Sequence, residues 1–537
     1  MSIVFQTDHH LLQQKYEAAK ERLQLNLTPV YSSEQPVLLD GGIFAGIWLE
    51  DGPHENTIYG MFEPAASIAA HRVFFNLQRE DGLLPSVVTE ENVIYAMRPD
   101  GTGPGYREFL RVGKEEAAKY PENARIICSQ VQTVIPVAAT ALEAARLTGD
   151  QQFLEDAYRA CSAFDAWIAK YRNTRGTGLF EVFCEFDTGH DHSPRFKGLP
   201  KSCPGDDSRI CPDAGGLPYL APDMSAMLYG GRKALAEMAG LLGKPGEKVH
   251  WEEKAEATRE AIFRYCFHEE DVFFYDLDRN NRFIRIKGDV ITRVLSEHVV
   301  DQALFEKIFQ LHIVNPEEFW TPYPLPSIAV NDPCFPKSIT HENLGPLGFG
   351  GPSLALTALR TPRWLEYYKK PAHLGHIMKR WLDAIMASTD FMCQLNPFSG
   401  EFAVAEGYSA PALMMVDFVP RLYGVRLEDG KLEWNCRRPE GASCSRYSMD
   451  TSFGTAEIES GDRGSVLSVA GKPVLKVEGK CRVITDRQGT ILKAEGTELE
   501  TEYAVFTRPD GKNARCRIPV NGEVLGTRIE QMIREGE

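Results

Sequence analysis

The sequence predicts a mainly α protein, an (α/α) toroid with a small C-terminal antiparallel β domain. Three observations carry that reading. Apolar residues recur at helical spacing from Glu63 to about residue 425. Long Gly-, Pro- and aromatic-rich loops, such as 172–221 and 317–352, separate the helical stretches, and loops of that length in a compact domain are usually functional. Beyond Arg426 the periodicity changes to short alternating runs broken by Asp-Gly and Gly-Lys turns, the pattern of antiparallel strands.

In chain order, His9 to Leu23 reads as a short amphipathic helix, and 36–60 as extended and Gly-rich. Helical periods follow at 64–79, 126–148, 151–171, 222–243, 247–266, 301–312, 350–360, 372–389 and 407–419. Several close on a Gly stop, as in Leu147-Thr148-Gly149-Asp150. Strand-like runs include Leu432–Trp434, Val474–Val477, Cys481–Ile484 and Tyr503–Phe506. The predicted organisation is an N-terminal segment (1–40), a helical catalytic domain (41–425) and a β-rich domain (426–537). The last reads as a structural cap, with sugar binding as the alternative.

Composition narrows the partners. With 75 acidic against 59 basic residues the chain carries a net charge of −16, which argues against nucleic acid or anionic membrane. No apolar run approaches the roughly 20 residues of a membrane span, and the first ten residues lack the features of a signal peptide. The 12 cysteines include no CxxC pair, which reads as reduced thiols and a cytoplasmic location.

The most chemical stretch is Phe186-Asp187-Thr188-Gly189-His190-Asp191-His192-Ser193-Pro194-Arg195. No regular helix or strand favours this mixture between two periodic segments. His190-Asp191-His192 is a poor metal site because consecutive side chains diverge, so no metal or other cofactor is expected. Asp191 ahead of Ser-Pro-Arg could cap a helix. In the acid–base reading, Asp187 pins local backbone N–H groups, and Asp191, its pKa raised by aromatic surroundings, donates a proton to a leaving oxygen. Arg195 would fix a substrate hydroxyl or a partner carboxylate.

Three further segments join it. Gln130, read as opening an apolar helix, has an amide suited to sugar hydroxyls, or is a plain N-terminal residue. Asn396 to Glu401 forms a turn that delivers Glu401, and a helix begins near Tyr408. Glu401 and Glu406 are candidates for a second carboxylate, or are surface or helix-end charges. The stretch Glu317 to Ser327, with Trp320, forms a stiff aromatic loop that is either a sugar-stacking wall or packing.

Taken in order, these pieces resemble the glycoside hydrolase clan of family 63 glucosidases and family 37 trehalases. Ser129-Gln130 with Pro136, the Thr148-Gly149-Asp150 turn, and Gly178-Leu179-Phe180-Glu181 followed by Asp187 to Arg195 match its motifs. So do Asp223-Met224-Ser225, Phe274 to Asp278, Glu318 to Ser327, Asn396 to Glu401, and Gly407 to Asp417. The resemblance spans roughly 55–420. It implies an (α/α)6 barrel and an inverting, exo-acting glycosidase of a small carbohydrate. Asp191 would be the general acid, with the base about 6.5–9.5 Å away. Gln130, Asp187, His190, Arg195, Trp320, Glu406 and Tyr408 would contact the sugar.

The sequence departs from the family at the base. The family's glutamate falls on Cys393, with Gln394 next; the tryptophan of its "GwD" element is His190; and its Trp-Arg-Gly-Pro element is Asn343-Leu344-Gly345-Pro346. Glu401 matches a substrate-contacting glutamate of the trehalases. Either Glu401 or Glu406 supplies the base, or Cys393 does with a thiolate that a cation would have to stabilise, or hydrolysis is lost. Two rivals follow. One is an (α/α)6 sugar epimerase or isomerase using His190 and His192; the other is a non-hydrolytic carbohydrate-binding descendant.

Overall fold

The structure is a computed structural model that describes residues 2–33, 35–97, 107–111, 115, 119 and 125–535. It is mainly helical with a C-terminal sheet region and divides into two compact units. The larger holds Leu23–Arg360 and Asp390–Ala410; the other holds Met1–Arg22, Thr361–Thr389 and Pro411–Glu537.

The larger unit is built on helices Pro64–Asn76, Val137–Thr148, Gln151–Tyr171, Pro222–Leu241 and Pro245–Cys266. Three of them begin with proline in the first turn, where its missing N–H would be unsatisfied anyway. The turn at 148–150 ends one helix and starts the next. Gly149 takes the left-handed conformation and its N–H donates to the Ala145 carbonyl, while Asp150 Oδ1 accepts the Phe153 N–H at 2.9 Å. The core between these helices pairs small residues (Ala138, Ala141, Ala157) with large ones (Phe153, Phe164, Trp167, Leu235), all buried.

Short strands between the helices position the loops. Glu181–Val182, Tyr219–Leu220, Asp276–Leu277 and Phe283–Ile284 form one antiparallel sheet, which sets Asp276 beside the acid-rich loop. Gly46–Trp48, Val87–Thr89 and Ile126–Ile127 form a second, which delivers Leu49 and Glu50. Ser353–Leu354, Gln394–Leu395 and Phe402–Ala403 form a third, which brackets Cys393.

Three sequence expectations are corrected here. The helix expected over 126–148 begins only at Val137. The backbone of Ile127 is taken by the sheet and by Ser86, whose N–H donates to its carbonyl, and Pro136 is tolerated at a helix start but not inside one. The stretch expected to be extended, 36–60, contains the helix Gly52–Tyr59, started by Pro53. The 301–312 helix splits into Gln302–Ile308 and a π-helical turn, Phe309–Ile313.

The second unit contains a seven-stranded and a five-stranded antiparallel sheet. Alternating burial along Gly454–Gly461 and Asn513–Ile518 shows one face of the larger sheet turned to a core. Its first strand, Ile3–Thr7, pairs with Cys444–Thr451, and Phe5 stands opposite Tyr447. The helix Gly526–Glu535, outside the expected strand pattern, ends the described chain.

Candidate active site

The acid-rich loop is held from below by Asp187. Its carboxylate is fully buried and accepts five hydrogen bonds: from the N–H groups of Val131 (2.9 Å), Phe183 (2.8 Å) and Cys184 (3.3 Å), and two from the Arg172 guanidinium. Asp187 therefore has no acceptor left for a sugar, which corrects its place among the expected substrate contacts. Behind it Cys184 and Cys203 come within metal-ligand distance of Asp187, but Arg172 already supplies the positive charge there.

Arg195 is likewise committed to protein partners. Its Nε and Nη2 donate to Asp276 at 2.7 Å each, and Nη1 and Nη2 donate to Asp223 at 2.8 and 2.9 Å. Nη1 also lies 2.7 Å from His190 Nδ1. A guanidinium forked between two buried carboxylates is strongly stabilised in its charged form, and it holds Asp223 well below the usual carboxylate range against burial. Of the two roles the sequence allowed Arg195, the structure shows partner carboxylates.

His190 is buried, with Nε2 3.2 Å from Asp289 Oδ1 and its ring against Phe349. Burial and the nearby Arg293 push its pKa down to about 4, so the ring is neutral and serves this internal network. His192 is exposed, so the two histidines do not share a site as a paired-histidine epimerase would require.

The backbone reverses at Gly189 (φ 63°) and again at His192 (φ 63°), which sets Asp191 apart from this network. The capping role weighed for Asp191 falls to Ser193, whose Oγ accepts the Arg195 N–H at 3.4 Å. The Asp191 carbonyl accepts the Phe349 N–H at 2.9 Å, and Gly348 packs so closely that a Cβ there would lie 2.4 Å from that oxygen. Its carboxyl Oδ1 is shielded from solvent and accepts no hydrogen bond from the described residues. Burial, then the charges of Glu50 and Glu185, push the Asp191 pKa up to about 8, with Lys201 opposing.

Glu50 lies against the same loop. An ideal Cβ on Gly189 would fall 2.2 Å from Glu50 Oε2. Gln130 Nε2 donates to Gln132 Oε1 at 2.9 Å, and Gln132 Nε2 donates to Glu50 Oε2 at 3.3 Å. Gln130 is thus in the site, but on the irregular segment before the helix rather than on the helix. Arg360 Nη2 lies 3.9 Å from Glu50 Oε1. Burial raises the Glu50 pKa while Arg360 and Arg293 oppose it. Asp40, Asp51 and Glu55, all buried, continue the acidic cluster, and burial keeps their carboxyls protonated well above the usual range.

Cys393 faces Asp191 but is no thiolate: burial pushes its pKa up to about 12. Glu401 and Glu406 are exposed, outside the buried cluster. Tyr408 is buried beside Asp51, Asp40 and Glu55 with its ring against Phe44. Trp320 is half-buried on its loop, its backbone N–H donating to the Asn315 carbonyl, whereas its neighbour Phe319 is fully buried against Phe273.

Residues 58–409, more than half of the chain, match the family described as mannosylglycerate hydrolase MGH1-like glycoside hydrolase domains. The chain belongs to that family. It is a glycoside hydrolase, in keeping with the family 63 and trehalase resemblance of its motifs. The fold agrees with that of a family 63 mannosylglycerate hydrolase from Thermus thermophilus, crystallised with Tris and D-glycerate. The TM-score is 0.58 at 18% identity, covering 76% of this chain and 100% of that one. Neutral trehalase from Saccharomyces cerevisiae gives a TM-score of 0.52 at 11% identity, covering 75% of this chain and 80% of that one. An uncharacterised protein of Borreliella burgdorferi is 26% identical over 118 residues, 22% of this chain and only 24% of that protein.

The residues of this glycoside hydrolase that sequence reasoning missed are Glu50, Gln132, Arg293 and Arg360. A signal existed for the first: Trp48-Leu49-Glu50-Asp51 puts two acids directly before a Gly-Pro helix start. Asp223 and Asp276 lie within the family-like motifs, but only folding brings both to Arg195.

Proposed function

We propose that this chain is an inverting, exo-acting hydrolase of a small glycoside, with Asp191 as the general acid at the mouth of an (α/α)6 barrel. The observation that carries this reading is Asp191 itself: a carboxyl with an unpartnered oxygen, holding its proton to about pH 8 beside a second carboxylate. A leaving-group oxygen needs such a donor, still protonated near neutral pH. The family membership and the similarity to a mannosylglycerate hydrolase and a trehalase support a short, hydroxyl-rich substrate. Twelve free thiols, eight of them buried, suit a reducing cytoplasm.

The test is turnover of mannosylglycerate, trehalose and a panel of p-nitrophenyl glycosides, with NMR of the first-formed anomer. Release of sugar with inverted configuration, lost in Asp191→Asn on poor leaving groups, is expected. Interconversion of free monosaccharides without bond cleavage, or retained configuration, would overturn the reading.

A further inference from the structure

We propose that Glu50 is the general base of this enzyme, activating the water that attacks the anomeric carbon in place of the residue at position 393. The proposal rests on Asp191 as the proton donor. It begins with the groups that face Asp191. Glu50 and Glu185 are the carboxylates whose charge acts on it, Lys201 is the cation, and Cys393 is the thiol. Glu185 is bound into the acid's own loop, where its Oε1 accepts the His192 N–H at 2.6 Å. Cys393 is neutral at any working pH, and Glu401 and Glu406 stand in solvent. Among the described residues, Glu50 is the carboxylate that remains.

Its surroundings suit the task. A base must keep one oxygen for water, and Glu50 Oε1 is buried with no hydrogen-bond donor from the described residues. Its other oxygen is aimed by the Gln130–Gln132 relay. A base must also be ionised while the acid is protonated. Arg360 and Arg293 favour the charged form of Glu50, whereas no guanidinium opposes burial at Asp191. Arg360 also faces Asp51 and Glu55 behind Glu50, and burial keeps those two carboxyls and that of Asp40 protonated. Burial raises the Glu50 pKa as well, and the two arginines are the charges that oppose it there.

In the step, a water proton passes to Glu50 as the water oxygen bonds to the anomeric carbon. The glycosidic C–O bond breaks, and its oxygen takes the proton of Asp191. The products are the inverted sugar and the free alcohol. Glu50 is left protonated and Asp191 ionised, and exchange with solvent restores both.

The experiment compares Glu50→Gln, Glu50→Asp, Asp191→Asn and Glu401→Gln in the full chain. Each is assayed on the p-nitrophenyl glycoside the panel identifies, on the methyl glycoside and on the glycosyl fluoride of the same sugar. Fluoride leaves with little protonation, so Asp191→Asn is expected to keep most activity on the fluoride and lose about 10²–10⁴-fold on the methyl glycoside. Glu50→Gln is expected to lose about 10²–10⁴-fold in kcat on all three, with KM within a few-fold. Azide should restore turnover by Glu50→Gln, giving the inverted glycosyl azide. Glu50→Asp, which keeps the charge, decides the matter if Glu50→Gln fails to fold, and an intermediate kcat is then expected. Glu50 variants that change KM alone without azide rescue, or a kcat loss in Glu401→Gln instead, would overturn the base. An Asp191→Asn variant that stays active on the methyl glycoside would overturn the acid while leaving azide rescue to judge Glu50. No turnover by the wild-type chain on any probe would overturn both.

Discussion

The carboxyl of Glu50 occupies the space in which a side chain on Gly189 would stand. Two segments distant in sequence, the Trp48–Asp51 approach to a helix and the turn before Asp191, are packed together at a residue that has no Cβ. That contact joins the loop that carries Asp191 to the second carboxylate.

Gly189→Ala is therefore expected to do more than strain a turn. At φ 63° the substitution costs about 1 kcal/mol for conformation alone, as it does at Gly178, where φ is 79° and nothing lies within 4 Å. Gly178→Ala should lose only that stability and keep its kcat. Gly189→Ala should lose more stability and at least tenfold in kcat, because its methyl must displace the Glu50 carboxyl. Thermal unfolding and steady-state kinetics on the pair separate the two effects; equal behaviour would refute the contact.

The pH dependence has a defined direction. Asp191 holds its proton to about pH 8 in the folded chain against 3.8 ordinarily, so the unfolded chain releases it first. This group's contribution to stability is greatest below about pH 4 and falls as pH rises toward 8, and it is flat above. Asp191→Asn should remove that slope and raise stability near pH 8, by an amount on the order of 1 kcal/mol, while activity on poor leaving groups is lost. The wild-type rate should fall above about pH 8, where Asp191 ionises. Denaturant titrations and rate profiles from pH 5 to 9 check both limbs.

Arg195→Lys tests the clamp. Lysine carries the charge but not the fork, and it cannot serve Asp223 and Asp276 together. A stability loss of about 2–4 kcal/mol is expected from the carboxylate left buried without a partner. Urea unfolding measures it; a loss below about 0.5 kcal/mol, ordinary for a surface change, would contradict the clamp.

Much of the helical scaffold was legible in the chain. The Thr148-Gly149-Asp150 stop and start, the proline-led helices and the alternating C-terminal strands are local signals, and local hydrogen bonding enforces them. Where the reading failed, a distant partner had intervened. Residues 126–136 have helical spacing, but Ile127 is claimed by the strand Val87–Thr89 and by Ser86. The first strand of the chain pairs with residues 444–451, a partner no local window contains.

The site divides along the same line. That the run from Asp187 to Arg195 is an irregular, acid-bearing loop was settled by residue type and order, because its Gly, Pro and paired acids suit no regular element. The resemblance also set Asp191, as the expected acid, apart from Asp187, as its support, but the surroundings that make the two differ came only with folding. Asp187 and Asp191 are alike in sequence, and only folding surrounds one with five donors and leaves the other an oxygen with none. Likewise the sequence showed that Cys393 stands at the family's base position, but a replacement from the segment at Glu50 required the tertiary structure. Charge, burial and hydrogen-bond satisfaction belong to the space around a side chain, and that space is assembled from segments far apart in the chain.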